Sequence, residues 1–275
     1  MSFPLLRYPT ARAALAILGF VATLALFGPL LAPHDPLAQD PLALLQGPSA
    51  TYWLGTDALG RDVLSRLLAG ATVSVFASLQ SVALGLVLGV IPGLLSVYLG
   101  RKLEWISLRL IDALMMLPFI VFAIAMTAML GNGLVQAMFA VGLLITPAFF
   151  RVARAAALSV TNADYIEAAR LMGASTSSVI GRHVALKVLP AVAVATASLT
   201  GVCLSIVASL TFLGIGIVPP EPTWGGQLAT DLSTLYERPF GPFAPGLLIV
   251  VTVWSLNALA DALRDLQAHS EETRA

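Results

Sequence analysis

The chain has 275 residues, 58% hydrophobic and only 11% charged, and its formal net charge is zero. A soluble domain carries about 25% charged residues, so the composition excludes a soluble globular protein and gives no ground for nucleic-acid binding. The single cysteine, Cys203, lies in an apolar run, and His34, His183 and His269 stand far apart in sequence, which rules out an internal disulfide and makes a metal centre built from this chain unexpected.

A helical span needs about 20 mostly apolar residues. Six runs qualify, at 13–32, 72–99, 111–130, 134–150, 188–212 and 243–260. Arg7 and Arg12 precede the first run as in a signal peptide, but its apolar stretch is too long and no clear small-residue cleavage site follows; it is expected to stay as the first span. In the loop 33–70, Gly55, Asp57 and Gly60 are turn and cap signals, and a short amphipathic helix is predicted over 61–69. In the second run Gly85, Gly89 and Gly93 recur every four residues, a spacing that lets helices approach closely, within this chain or between pore-forming chains.

The polar segment 163–187 separates the fourth and fifth runs. Asp164 is placed to cap a helix, with Glu167 three residues on as in a capping box. The helix is short, and Gly173 fits the positive-φ position that ends it. Ser175 or Thr176 can then cap a second helix entering the fifth run. Tyr165, Ala169 and Met172 fall on one face at helical spacing, a small apolar ridge suited to a partner's groove. In the loop 213–242, Pro219, Pro220 and Pro222 force an extended chain, and Trp224 suits a membrane interface. Gln80, Thr127, Ser205, Ser209 and Asn257 are the polar candidates for a pore lining, each also able to serve as an ordinary interhelical hydrogen-bond partner.

Six spans put both termini on one side. That side holds Arg7, Arg12, Arg101, Lys102, Arg109, Arg151, Arg154, Arg170, Arg182, Lys187, Arg264 and Arg274, which is 12 of the 15 basic residues. The other side holds Arg61, Arg66 and Arg238 against seven acids: Asp35, Asp40, Asp57, Asp62, Glu221, Asp231 and Glu237. The basic side is therefore expected to be cytoplasmic, with both termini and the segment 163–187 inside the cell. The spans are almost free of ionisable groups, Asp112 at the edge of the third being the exception. Ion-coupled carriers place such groups in the membrane, so secondary transport is disfavoured. No G-x-x-x-x-G-K-[ST] loop is present either. Energy must come from a partner, or transport is passive.

Four ordered motifs resemble those of the dipeptide, oligopeptide and nickel ABC importer permeases. The segment 164–190 is similar to their EAA loop, through Glu167-Ala168-Ala169, Gly173 and Leu189-Pro190. Trp53–Ala71 looks like their LGTD-x-LGRD-x-SRLL-x-GA segment, and 210–228 like LSFLGLG-xx-PP-x-P-x-WG. The tail from Ala244 through Asn257 to Asp265 resembles their final span. The resemblance implies an all-α membrane protein of six transmembrane helices with a cytoplasmic EAA-type coupling helix, of the shorter C type. It divides the chain into an N-terminal part (1–70), a permease core (71–264) with coupling loop 163–187, and a tail (265–275). It implies coupling to an ATPase through Asp164, Tyr165, Glu167, Ala168, Ala169 and Gly173. Contact with a binding protein, or an outer gate, would fall to Gly55, Asp57, Gly60, Arg61, Asp62, Pro219, Pro220, Trp224 and Gly225. The implied partners are a second homologous permease, two ATP-binding-cassette ATPase subunits, an extracytoplasmic solute-binding protein and the lipid bilayer. ATP and Mg would be held by the ATPase subunits, with no cofactor, metal or catalytic residue in this chain. The implied solute is a peptide or a related small molecule, and the implied place is the cell membrane. The sequence departs from the family's RH-[IV]-LPN pattern at Ala185-Leu186-Lys187, which predicts a straighter entry into the fifth span. An ATP-independent channel or carrier is the alternative; a membrane-bound enzyme has no nucleophile–base set to support it.

Overall fold

A computed structural model describes residues 9–98, 100–161, 163–217 and 220–272; the side chains of Asp164, Arg170, Ser177 and residues 270–272 are outside the description. The described residues form helices α1 (Pro9–Leu31), α2 (Val63–Tyr98), α3 (Arg101–Met115), α4 (Phe119–Leu130), α5 (Leu134–Thr161), α6 (Asp164–Leu171), α7 (Thr176–Ser178), α8 (Ala185–Phe212), α9 (Trp224–Ser233) and α10 (Phe243–Glu272). A π-helical segment, Val179–Val184, joins α7 to α8. Among the described residues the only extended pairing is one antiparallel bridge, Thr56 to Asp62.

Five stretches are long and apolar enough to cross a bilayer: Pro9–Leu31, Val63–Tyr98, Leu134–Thr161, Val179–Phe212 and Phe243–His269. They match five of the six predicted runs, each helix being longer than its run. The helix predicted over 61–69 is no separate element but the first turns of α2. The third predicted span, 111–130, is a correction: α3 and α4 are bent by 94° at a short break. The cause is Pro118, which has no N–H to donate and which disfavours helical backbone at Leu117. The chain closes the break with tight turns, Met116 N–H to Ala113 O at 3.3 Å and Leu117 N–H to Leu114 O at 3.4 Å. Counted as one broken span, the pair brings the total to six.

The packing of α2 against α5 is the most extensive in the molecule. It is set by the glycines. A Cβ on Gly85 would lie 2.5 Å from the Ile145 side chain and 3.0 Å from Gly142 O; on Gly89, 2.6 Å from Thr146 O; on Gly93, 2.8 Å from Phe150 O. The four-residue repeat is therefore a seam within this chain. Thr146 and Phe150 are four residues apart on α5, so the two repeats run in register. Ser81 adds a bond across the seam, its Oγ donating to Met138 O at 3.2 Å.

Three apolar clusters stack along these helices. The central one joins Ala77, Val82, Ala123, Met138, Val141, Phe149, Cys203 and Val207 from α2, α4, α5 and α8. One end, the cap end, gathers α1, the start of α2, α8 and α10 around Trp224. The opposite, loop end joins Ala153, Ala157, Ile166, Val179, Val184 and Val188. Outward-facing residues of α1 such as Phe20, Leu26, Phe27 and Leu30 are exposed, as expected where hydrocarbon replaces water.

The seam generates the first prediction. Gly89→Ala should destabilise the protein by about 1–3 kcal/mol, the cost of overpacking, because the obstacle is a backbone carbonyl and cannot swing aside. Gly19→Ala, where a Cβ meets nothing within 4 Å, should be neutral or better. Thermal unfolding of the two variants in detergent measures the contrast.

Candidate functional site

At the loop end, α6 begins at Asp164, and Ala163 takes the cap position: Ala163 O accepts from Ile166 N at 2.8 Å and from Glu167 N at 3.3 Å. The capping box led by Asp164 rests on a side chain that lies outside the described residues. The far end follows the sequence. Gly173 has φ +85, and Ala174 N donates to Ala169 O at 3.0 Å, the six-to-one bond of a glycine-terminated helix. Ser175 Oγ then accepts from Ser178 N at 3.3 Å and caps α7. The π-helical segment Val179–Val184 follows, so the entry to α8 is an expanded turn rather than the straighter helix expected.

The predicted ridge of Tyr165, Ala169 and Met172 does not form. Ile166 and Ala169, three residues apart, are the buried pair, and Ile166 packs with Ala153, Ala157, Val179 and Val184. Tyr165, Glu167, Ala168, Leu171 and Met172 are exposed, Leu171 and Met172 by 84% and 82%. Ile166 was not singled out in the sequence, although it is the one β-branched aliphatic of α6 and is fully buried. Tyr165 lies on the margin, its ring 6.3 Å from that of His183. The short helix is thus fastened by one face and offers the other.

At the cap end, the two loop motifs lock together. Asp57 Oδ2 accepts from Arg61 Nε at 2.7 Å and lies 3.7 Å from Arg66 Nε. Arg66, buried at 4% exposure, also donates to Gln227 Oε1 at 2.9 Å and to the carbonyls of Pro36 and Pro220 at 3.0 and 3.4 Å. Gln227 Nε2 donates to Asp231 Oδ1 at 3.0 Å. Arg238 donates to Thr56 O and Leu54 O, both at 2.6 Å, with Nη1 4.0 Å from Asp231 Oδ1. Asp62 caps α2, its Oδ2 accepting from Ser65 N at 3.1 Å, and pairs with His34 Nδ1 at 3.3 Å. All three basic residues of the cap are therefore tied to acids or carbonyls.

This clasp revises what those residues can touch. Asp57, Arg61 and Asp62 are buried, so direct contact with a docking protein is closed to their side chains in this conformation. Trp224 is fully buried rather than an interface anchor: its Nε1 donates to Leu67 O at 3.0 Å and its N to Ser74 Oγ at 3.1 Å. Gly225 is required by contact, since a Cβ there would meet Ala208 O at 2.1 Å. Gly55 and Gly60 sit at positive φ. Pro220 is exposed apart from its bonded carbonyl, and Pro219 lies outside the described residues. Arg66 and Gln227 hold the clasp together and were not picked out; a charged residue inside the first turns of a span was the available signal. A cavity of about 220 Å³ lies between the clasp and the end of α8, lined by Arg61, Arg66, Thr211, Phe212, Pro220 and Glu221 among others.

Of the proposed pore residues, Gln80, Ser205, Ser209 and Asn257 are exposed. Thr127 is buried and bonds its own helix at Ala123 O and Ile124 O, which removes it from a lining role.

Two predictions come from the clasp. Arg66→Met leaves Asp57 and Gln227 short of a partner and should cost about 3–5 kcal/mol, as for a broken buried pair, read as a lowered unfolding midpoint. Asp231 gives a pH signature. Burial raises its carboxyl above the ordinary 3.8; the Gln227 hydrogen bond and Arg238 lower it, and Asp57 raises it again. With the folded value raised, the stability due to Asp231 is full below pH 3.8 and is lost as pH rises through the folded value. The advantage of the native chain over Asp231→Asn should therefore shrink as pH rises through that window, in unfolding midpoints measured against pH.

The chain matches the model of the family described as binding-protein-dependent transport system inner membrane component over residues 85–270. Residues 4–48 match that of the N-terminal TM domain of oligopeptide transport permease C. It is 38% identical over 248 residues to a di/tripeptide transport system permease protein of Pseudomonas aeruginosa, covering 88% of this chain and 82% of that one. It is 36% identical to a glutathione transport system permease protein of Pectobacterium atrosepticum (94% and 87% covered). A nickel transport system permease protein of Escherichia coli is 32% identical, with 96% of each chain covered. With its all-helical architecture and apolar spans, the chain belongs to the binding-protein-dependent inner-membrane transport family and is a transmembrane permease subunit of an ABC importer, in which ATP hydrolysis lies in partner subunits.

Proposed function

We propose that this permease carries peptides or a related small solute, received from an extracytoplasmic binding protein, and that α6 is the element through which the motor moves it. The observation that carries this reading is the two-faced α6. Ile166 bolts it to α5 and the π-helical segment and Ala169 is buried too, while Tyr165, Glu167, Ala168, Leu171 and Met172 are exposed. Ala169 then acts as a fastener, Glu167, Ala168 and Tyr165 as contacts, Asp164 as the first helical residue, and Gly173 as the stop that fixes the angle. The full assembly would hold a second homologous permease and two ATPase subunits that bind ATP and Mg. Both termini and 163–187 would be cytoplasmic, supported by 12 of 15 basic residues on that side. The division into 1–70, 71–264 and 265–275 is kept as our reading.

In this scheme ATP draws the two motor subunits together, α6 moves with them, and the bundle opens at the cap end to accept solute. Hydrolysis resets it. Gly55, Asp57, Gly60, Arg61, Asp62, Pro219, Pro220, Trp224 and Gly225 would serve the outer gate by shaping the cap. Peptides are favoured because relatives at 38%, 36% and 34% identity are named for di/tripeptides, glutathione and D,D-dipeptides.

Affinity purification of the tagged chain from its native membranes tests the assembly. An ATPase and a second permease should copurify in fixed ratio, and the complex with its binding protein should take up a labelled dipeptide on ATP addition. Recovery of the chain alone, with ATP-independent transport in liposomes, overturns the reading in favour of a channel or carrier. A sharper test is Gly173→Val. Nothing lies within 4 Å of a Cβ there, so the penalty, about 1–2 kcal/mol for a left-handed side chain, falls on the helix stop alone. ATPase activity should persist while uptake falls; unchanged uptake in a normally assembled complex removes the stop from the mechanism.

A further inference from the structure

α3 is the one long helix whose chemistry fits neither the apolar bundle nor the cap. It leaves α2 through Gly100, at φ +93, and meets α4 at 94°. Of its 15 residues only Ile111 is buried. Leu103, Ile106 and Leu110, at i, i+3 and i+7, form an exposed apolar stripe, from 41% to 62% exposed. Arg101, Lys102, Trp105 and Arg109 form the adjoining stripe, also exposed. The Arg109 guanidinium lies 5.8 Å over the Trp105 ring, within cation–π range. Three cations face one acid on this side, Asp112, 3.8 Å from Arg109. Arg101, Lys102, Trp105 and Ile106 line an open cleft of about 520 Å³.

The depth of α3 is fixed by α5. The apolar part of α5 runs from Leu134 to Phe150, 17 residues or about 25 Å at 1.5 Å each, close to the roughly 30 Å hydrocarbon thickness. Arg151 and Arg154 follow directly. Arg154 Nη2 donates to Glu104 Oε1 at 2.5 Å, and its Nη1 to Ser96 Oγ at 2.9 Å. This pair pins α3 to the level where α5 leaves the hydrocarbon. α4, nearly perpendicular to α3, runs beside the apolar part of α5 in its place. With α4 packed on α5 and α3 turned 94° from α4, we take α3 to lie along the membrane face.

We propose that α3 is an interfacial helix that binds anionic phospholipid head groups, with Arg101, Lys102 and Arg109 on the phosphates, Trp105 at the glycerol level and Leu103, Ile106 and Leu110 among the acyl chains. Charge complementarity decides the occupant: a zwitterionic surface gives three clustered cations no net counter-charge, and an apolar protein face would leave Arg101 and Lys102 facing no acid. This goes beyond transport and stands if the coupling role of α6 fails.

The test uses the purified complex in nanodiscs of phosphatidylcholine with or without phosphatidylglycerol. Trp105 emission is taken as the difference between native and Trp105→Phe samples. Lipids brominated near the head group should quench it more than lipids brominated near the chain end. Phosphatidylglycerol should be enriched around the complex in mixed discs, and each of Arg101→Gln, Lys102→Gln and Arg109→Gln should weaken that preference about fivefold. Absence of quenching overturns the proposal and identifies α3 as covered by a protein partner. Quenching with no phosphatidylglycerol preference, or a preference the three substitutions leave unchanged, overturns it too.

Discussion

The closeness of α2 and α5 governs the rest of the structure. Carbonyls of Gly142, Thr146 and Phe150 stand where side chains on α2 would otherwise be. In hydrocarbon there is no water to drive apolar helices together, so close backbone contact and the dispersion it allows must do much of that work. Only glycine permits that contact at Gly85, Gly89 and Gly93. Once the two long helices are registered, α4 and α8 fill the sides of the seam through Ala123, Cys203 and Val207, and both ends of the bundle become fixed points.

Those ends are built on different physics. The cap end is polar and buried: Arg66, Asp57, Gln227, Asp231 and Arg238 satisfy one another and several loop carbonyls, joining segments 154 to 184 residues apart in sequence. Such a network is specific because each member left alone would be costly to bury. It is also not fully satisfied; Asp231 Oδ2 and Asp62 Oδ1 have no hydrogen-bond partner among the described residues. The loop end is apolar and small. Ile166 holds a two-turn helix against α5, and Gly173 stops it. A firm cap and a lightly fastened helix at opposite ends of α2 suit a subunit moved from one end and gated at the other.

Much of this was legible in the chain. Apolar length found five spans, because the bilayer imposes one thickness on every crossing helix. Gly173 and Ser175 were legible because helix ends have local chemistry. The sequence gives a span's apolar content but not its direction, so 111–130 read as one helix until Pro118 was seen to break it. The α6 ridge failed for a similar reason: helical spacing groups Tyr165, Ala169 and Met172, but which face turns inward depends on what Ala153, Ala157 and Val184 offer across the gap.

The sequence by itself determined the class of protein, five of the spans, the four ordered motifs and the local stops, since composition, period and turn chemistry act over a few residues. Only the tertiary structure decided that the glycine repeat closes on α5 of the same chain, that the charged cap motif is a buried clasp with Arg66 at its centre, that Trp224 is core, and that α3 lies across α4. Each of these depends on which distant groups meet, and a meeting across 60 to 180 residues is settled by packing and by the need to pair buried charge, neither of which is written in local order.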